Sequence, residues 1–287
     1  MTGHDSISTE EPPSLSSEEG KNAEDVTPES SDSPSASADN GESVSKPSAS
    51  GDNGEDAPES SDSSKSQDTP DNLPLSGHII CIDPGHCVTP LIGKGLTAPV
   101  SPLSDAQKPL YVSGTEGKHL TEEKLNLIVG LKLRDALKEL GADVLMTREI
   151  SEISVSNVER SEIANNASAD VNIHIHADGS DNKKARGVSV LIPDGDLLGT
   201  PSIKQESARL GELMVNAVAE STGAKNRGTV PRDDMTGFNF SQVPTVLIEM
   251  GFMTNPEEDA LLETDAYQNK IVEGMITSLL QWYGVDF

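Results

Sequence analysis

No apolar run in this chain approaches the ~20 residues needed to cross a bilayer, so no membrane span is expected in it. Its first residues, Met1-Thr2-Gly3-His4, have neither the charged nor the apolar region of a secretory signal. The chain is therefore expected either to stay inside the cell or to begin after a removed export signal. Aromatic residues make up 3% of the 287 residues, and none falls within residues 1–76. Basic residues are also few. The chain has 21 Lys and Arg against 48 Asp and Glu, a formal net charge of −27, and no nucleic-acid partner is expected of that balance. There are two cysteines, Cys81 and Cys87. One lies inside an apolar segment and the other just past the turn that ends it, and a disulfide between them is not expected.

Residues 1–76 are built from what remains when aromatics and basic residues are removed. They hold 20 serines, 18 acidic residues and 3 lysines, and so carry −15 of the net charge. Such a segment cannot bury enough apolar surface to offset its ordering entropy, and it is expected to be disordered. It repeats loosely: Pro28-Glu29-Ser30-Ser31-Asp32-Ser33 returns as Pro58-Glu59-Ser60-Ser61-Asp62-Ser63. The repeats are low complexity and do not form a solenoid. As a flexible coil the segment spans roughly 50 Å, enough for a spacer; a solvated tail without a role is the plainer alternative.

From residue 77 onward the chain is long enough for one domain with a full core. Apolar segments at 78–83, 142–147, 171–176, 187–192 and 244–250 read as strands. Helical patterns over 121–140, 156–168, 202–222 and 265–283 lie between or after them. The alternation predicts an α/β domain, residues 77–287, with a central, largely parallel mixed sheet flanked by helices.

Polar groups appear where these segments run out. Ile79-Ile80-Cys81-Ile82-Asp83 stops at Pro84-Gly85, which places His86 at the carboxyl edge of the sheet, where open α/β sheets bind ligands. A surface turn histidine is the bland alternative. In the first helix Leu125, Val129, Leu133, Ala136 and Leu140 define one face. Projection at 100° per residue puts Glu122 on that face and Glu123 well away from it. Glu122 could simply be held by the helix N-terminus; Asn126, one turn on, is placed to buttress it. In Val171-Asn172-Ile173-His174-Ile175-His176, alternation puts both histidines on one face. His176, at the end, is the better ligand, and His174 reads as a core histidine or one that orients a ligand from behind. The segment Val246-Leu247-Ile248-Glu249 ends in a second carboxylate. Two histidines and an inward glutamate suit a zinc ion with an open fourth position, leaving Glu249 to handle protons.

These fragments occur in a familiar order. Asp83-Pro84-Gly85-His86, then Leu120-Thr121-Glu122 through Asn126, Thr147-Arg148, Arg160 with Ala164-Asn165, Ile173 through Ala177, and Glu249-Met250-Gly251-Phe252 with Asn255-Pro256 resemble the zinc-dependent N-acetylmuramoyl-L-alanine amidases of the amidase-3 type. The resemblance spans residues 78 to 284. It implies one Zn2+ on His86, Glu122 and His176, with Glu249 as catalytic acid/base; Asn126, His174, Arg148 and Arg160 are the candidates to support these residues from behind. It further implies a peptidoglycan hydrolase that cleaves the amide between N-acetylmuramic acid and L-alanine, outside the cytoplasmic membrane or at the cell wall; a monomer is expected. Four positions depart from the family pattern: Cys87 and Val88 stand where the family often has glycines, His174 where it commonly has serine and Asp178 where it has asparagine. They leave open whether His174 or Cys87 competes for the metal. The stretch from Val88 to His119 is expected to form a cleft wall, and Phe238 or Phe240 to touch substrate or fill the core. A zinc peptidase or deacylase acting on another amide, and a non-catalytic wall-binding module, are the alternatives.

Overall fold

The computed structural model describes residues 73–285. The disordered spacer expected over residues 1–76 thus lies outside the described residues, except at its last four. Those four are folded: Leu75 is fully buried, and its amide donates to the Leu140 carbonyl at 2.8 Å. The packed part of the chain therefore begins ahead of the border placed at residue 77. The Ser- and Pro-rich surroundings of Leu75 hide the single apolar side chain that reaches the core.

The strands are β1 (Ile79–Pro84), β2 (Thr97–Ser101), β3 (Ser104–Pro109), β4 (Asp143–Met146), β5 (Val171–Asp178), β6 (Val188–Pro193), β7 (Asn226–Arg232) and β8 (Thr245–Phe252). The helices are α1 (Glu122–Glu139), α2 (Asn157–Asn166), α3 (Lys204–Thr222), the single turn α4 (Thr236–Asn239), α5 (Pro256–Leu262) and α6 (Asp265–Tyr283). Six strands form the main sheet in the order β4-β1-β5-β8-β6-β7, while β2 and β3 pair as an antiparallel hairpin. All neighbours in the main sheet run parallel except β6 and β8. This is the mixed, mostly parallel α/β architecture that the alternation of strands and helices predicts.

Period-2 alternation divides the strands between two layers. Ile80, Ile82, Val171, Ile173, Ile175, Val246 and Ile248 join the main core with α1, α3 and α6. Cys81 packs on the opposite face with Ala164 of α2, and Leu247 packs there with Phe238 of α4. Asp83, His174 and Glu249 alternate with the first set and so belong to the second face, with chemistry placed where the helices cover least. Parallel register sets Asp83 beside His174 and His176 beside Glu249.

The helix ends explain themselves in part. The predicted N-cap of α1 is Thr121, but its hydroxyl makes no cap bond and instead donates to Glu123 Oε1 at 3.2 Å. Ser156 starts α2 with a full capping box, its amide donating to Glu159 at 2.7 Å. Gly141 ends the α1 region in the left-handed conformation, at φ 91°. The hairpin β2–β3, the strand β7 and the short helices α4 and α5 were not anticipated. Their segments carry Pro, Gly and polar residues with no sustained period, and contacts with the rest of the fold hold them.

Candidate active site

The turn after β1 is built around backbone carbonyls. Arg160 reaches from α2 to the Asp83 carboxylate, to the Pro84 carbonyl at 2.8 Å and to the His86 carbonyl at 2.7 Å. Arg148, 2% exposed, donates to the same Pro84 carbonyl at 2.8 Å, to the Gly85 carbonyl at 2.9 Å and to the Glu123 carbonyl at 2.6 Å. Two guanidiniums thus grip three successive carbonyls and hold His86 in the left-handed region, at φ 59°. Gly85 is required for a second reason: a Cβ there would lie 2.2 Å from the His176 ring.

This grip turns His86 toward α1. Its Nδ1 lies 3.0 Å from the Val112 carbonyl, which can only accept, so Nδ1 carries a proton and Nε2 faces Glu122 Oε1 at 3.1 Å. His176 approaches the same oxygen with Nδ1 at 2.8 Å. The other carboxylate oxygen of Glu122 accepts from the Thr115 amide at 2.8 Å. Asn126 donates to Glu122 Oε1 at 3.4 Å and to the Gly85 carbonyl at 3.3 Å, tying helix to turn. One ligand atom from each of His86, Glu122 and His176 lies within 4.8 Å of the others, and among the described residues this is the sole such group of three or more. Burial would raise the Glu122 pKa, but its bonds to His176 and His86 hold it far below the usual carboxylate range.

His174 is placed elsewhere. Its Nδ1 lies 2.5 Å from Asp83 and its Nε2 3.1 Å from the Thr245 hydroxyl, so both nitrogens are engaged away from Glu122. Cys87 is a buried free thiol on the cavity wall and takes no part in the three-residue group. Asp83 itself escaped the sequence reading as a site residue. It is 1% exposed and joins Arg160, His174 and Thr147; burial alone would raise its pKa, but these partners push it far below the ordinary range. The signal available was a lone carboxylate closing an apolar strand.

A cavity of about 300 Å³ opens over these groups, lined by His86, Glu122, His176, Glu249 and, from the predicted cleft wall, Leu110 to Val112. Glu249 sits beside His176 in the sheet, and its Oε2 is buried without a hydrogen-bond partner. Burial raises its pKa well above the ordinary value, and the charges of Glu122 and Asp178 raise it further against the opposing pull of Arg232. Phe238 is 1% exposed, packs in the core with Leu247 and also lines the cavity, whereas Phe240 is half-buried and does not line it.

An α/β sheet carrying a His-Glu-His donor group and an unpartnered carboxylate at its carboxyl edge defines the class. Residues 80–281 match the family model described as N-acetylmuramoyl-L-alanine amidase, and the chain belongs to that family. It is 28% identical over 221 residues to an N-acetylmuramoyl-L-alanine amidase of Mycobacterium tuberculosis, across 74% of this chain and 90% of the relative. It is 26% identical over 230 residues to the germination-specific N-acetylmuramoyl-L-alanine amidase of Bacillus subtilis, across 75% of this chain and 83% of that one. The crystal structure of the amidase Ami1 from Mycobacterium smegmatis shares the fold with a TM-score of 0.66 at 28% identity, covering 73% of this chain and 98% of Ami1.

Proposed function

We propose that this chain hydrolyses the amide joining the lactyl group of N-acetylmuramic acid to L-alanine in peptidoglycan, with zinc on His86, Glu122 and His176 and with Glu249 as the proton carrier. The observation that carries the reading is the convergence of three donors within 4.8 Å in the cavity that also holds the unpartnered Glu249 oxygen. The donor set fits zinc: two imidazole nitrogens and one carboxylate, with a cavity in front of them and room for a fourth position. Zinc bound there supplies Lewis acidity for the scissile carbonyl and for water.

The chain's own residues supply the rest. Val112 fixes the tautomer that leaves His86 Nε2 free, and Arg148 and Arg160 fix the backbone that carries it. Glu249 takes the proton of the attacking water on its free oxygen and returns it to the leaving amine. The burial that raises its proton affinity suits the return of the proton, and a cation on the donor group would favour the ionised form that takes it up. The substrate places the enzyme outside the cytoplasmic membrane, where we expect it to act as a monomer; among the described residues no helix is long and apolar enough to cross a membrane.

Metal content and turnover test the assignment together. Glu122→Ala is expected to lose zinc, while Glu123→Ala keeps it. Glu249→Gln keeps zinc and fold but loses on the order of 10²-fold or more in turnover on muropeptides. Zinc loss in Glu249→Gln with retention in a Glu122→Gln variant would exchange the two roles. Equal turnover of muropeptides and simple N-acyl amino acids by the unaltered protein would point instead to a general zinc deacylase.

A further inference from the structure

Beside the cavity lies a second cleft of about 550 Å³, between the β2–β3 hairpin and the start of α2. The two adjoin: Leu110 and Tyr111 line both, and Val155 and Asn157 face the cavity where Ser156 and Val158 face the cleft. The cleft is preformed. Asn239 donates to the Val100 carbonyl at 3.1 Å and to the Asp233 carbonyl at 3.0 Å, Ser101 donates to the Leu197 carbonyl, and Lys108 reaches Asp234 at 3.1 Å. The hairpin is thereby fastened at three points, so a ligand need not order it.

Aromatic placement makes the cleft unusual. Among the described residues only Tyr111, Phe240 and Tyr283 are aromatic and not buried. Tyr283 stacks on His78 with ring centroids 3.8 Å apart and is thereby occupied. The other two both line this cleft. Its ionisable lining consists of Asp105, Glu159 and Tyr111, with no lysine or arginine. Such a wall offers flat apolar faces and hydrogen-bond acceptors but nothing to neutralise a carboxylate.

The two halves of the proposed substrate differ in this respect. The stem peptide carries free carboxylates, whereas the N-acetylhexosamine chain is uncharged wherever its muramoyl carboxyl is held in amide linkage. We propose that this cleft binds the glycan strand next to the muramic acid, with Phe240 and Tyr111 against sugar faces, so that the substrate enters with its sugars toward the hairpin. The inference rests on the amidase reading above and adds the orientation of the substrate and the length of glycan recognised.

Two measurements test it, one independent of turnover. The neutral tetramer of β-1,4-linked N-acetylglucosamine is expected to bind the intact protein, seen by calorimetry or by shifts of cleft resonances. Phe240→Ala should weaken that binding by about ten-fold, the effect of one good aromatic contact. The same substitution should raise KM for a muropeptide on a tetrasaccharide by about ten-fold while changing kcat/KM for a single-sugar muramoyl dipeptide less than about two-fold. Asp105→Lys puts a cation into the lining and should not lower KM for peptide-bearing substrates, because the strand bound there is neutral and offers it no carboxylate. Failure of the tetramer to bind, equal losses on long and short substrates, or a large gain in Asp105→Lys on peptide-bearing substrates would overturn the proposal, the last by assigning the cleft to the stem peptide. Binding of the tetramer by a protein that hydrolyses no muropeptide would sink the amidase reading and leave the sugar site standing.

Discussion

Asp83 and Glu122 are both buried carboxylates that hold histidine at the carboxyl edge of one sheet, yet they are completed in different ways. Asp83 meets a permanent cation, Arg160, together with the Thr147 hydroxyl and His174. Glu122 meets two imidazoles, His86 and His176, and otherwise the Thr115 and Ala177 amides and Asn126. A carboxylate paired with guanidinium is electrically complete whatever the solution contains. One facing only imidazoles can exchange their protons for a cation. The comparison teaches that residue type alone does not separate a structural cluster from a metal cluster; the presence of a fixed positive charge does. It also explains why a second histidine on β5 need not compete for zinc: Asp83 and Thr245 already occupy both of its nitrogens.

The largest effect should follow from breaking the closed cluster. Asp83→Ala leaves Arg160 and His174 buried without their carboxylate, and removing one partner of a buried pair costs about 3–5 kcal/mol. Thermal unfolding of the metal-free domain should fall by roughly 10 °C or more at this size. Glu122→Gln should do the reverse. Its zinc affinity should drop by more than about 100-fold, the upper end of what losing a mere supporting partner costs, with a smaller change in metal-free unfolding than Asp83→Ala gives. Calorimetry and chelator competition on both variants decide the matter. An Asp83 variant that unfolds normally but binds no zinc would erase the distinction between the clusters.

Acid should separate the same two clusters without mutation. The Asp83 pKa is depressed in the fold, so its stabilisation is complete above the ordinary carboxylate value of about 3.9 and is lost only as pH falls through its lower folded value. The two imidazoles differ: burial holds His176 below its ordinary value, whereas His86 shifts the other way. Burial would lower His86, but its bond to Glu122 lifts it above the ordinary value, so protons begin to compete with a metal above about pH 6.5. Zinc should therefore dissociate between about pH 7 and 5 while near-ultraviolet circular dichroism still reports a native fold, since that window lies above the ordinary carboxylate value. Coincident loss of metal and fold over one pH range would refute it.

Much of this is legible in the amino-acid sequence. The five sheet strands found in the sequence are apolar runs of four to eight residues that a sheet covered on both faces requires. His86, His176 and Glu249 sit where such a run ends. The amphipathic face of α1 distinguishes Glu122, 4% exposed and turned to the histidines, from Glu123. What stayed hidden depends on contacts distant in sequence. Asp83 reads as part of a motif until Arg160, 77 residues on, is seen against it. Leu75 reads as tail until Leu140 receives its amide. The β2–β3 hairpin has polar, Pro-containing strands, and its anchors lie in residues 197 to 239. None of these partners leaves a periodic trace in the segment it stabilises.

The smallest effect concerns the substitution His174→Ser. His174→Ser removes the bond to Asp83 but leaves Arg160 and Thr147 on that carboxylate, so the charge stays paired. The bond from Asn172 to His174 Nε2, at 3.4 Å, and that between His174 and Thr245 are lost as well. The new serine side chain is short and leaves space beside Phe238, whose ring stands 5.9 Å from the imidazole. Losing one hydrogen bond to a charged group costs about 1.5–3 kcal/mol, and water entering the vacated polar space recovers part of it. Stability should therefore fall by about 1–2 kcal/mol, less than the Asp83→Ala effect. Zinc stoichiometry should stay at one per domain with affinity within about three-fold, because His174 points at Asp83 and not at the donor group. A fall in stoichiometry, or a loss of affinity near that of Glu122→Gln, would show that the two clusters share His174 and that Asp83 belongs to the metal site after all.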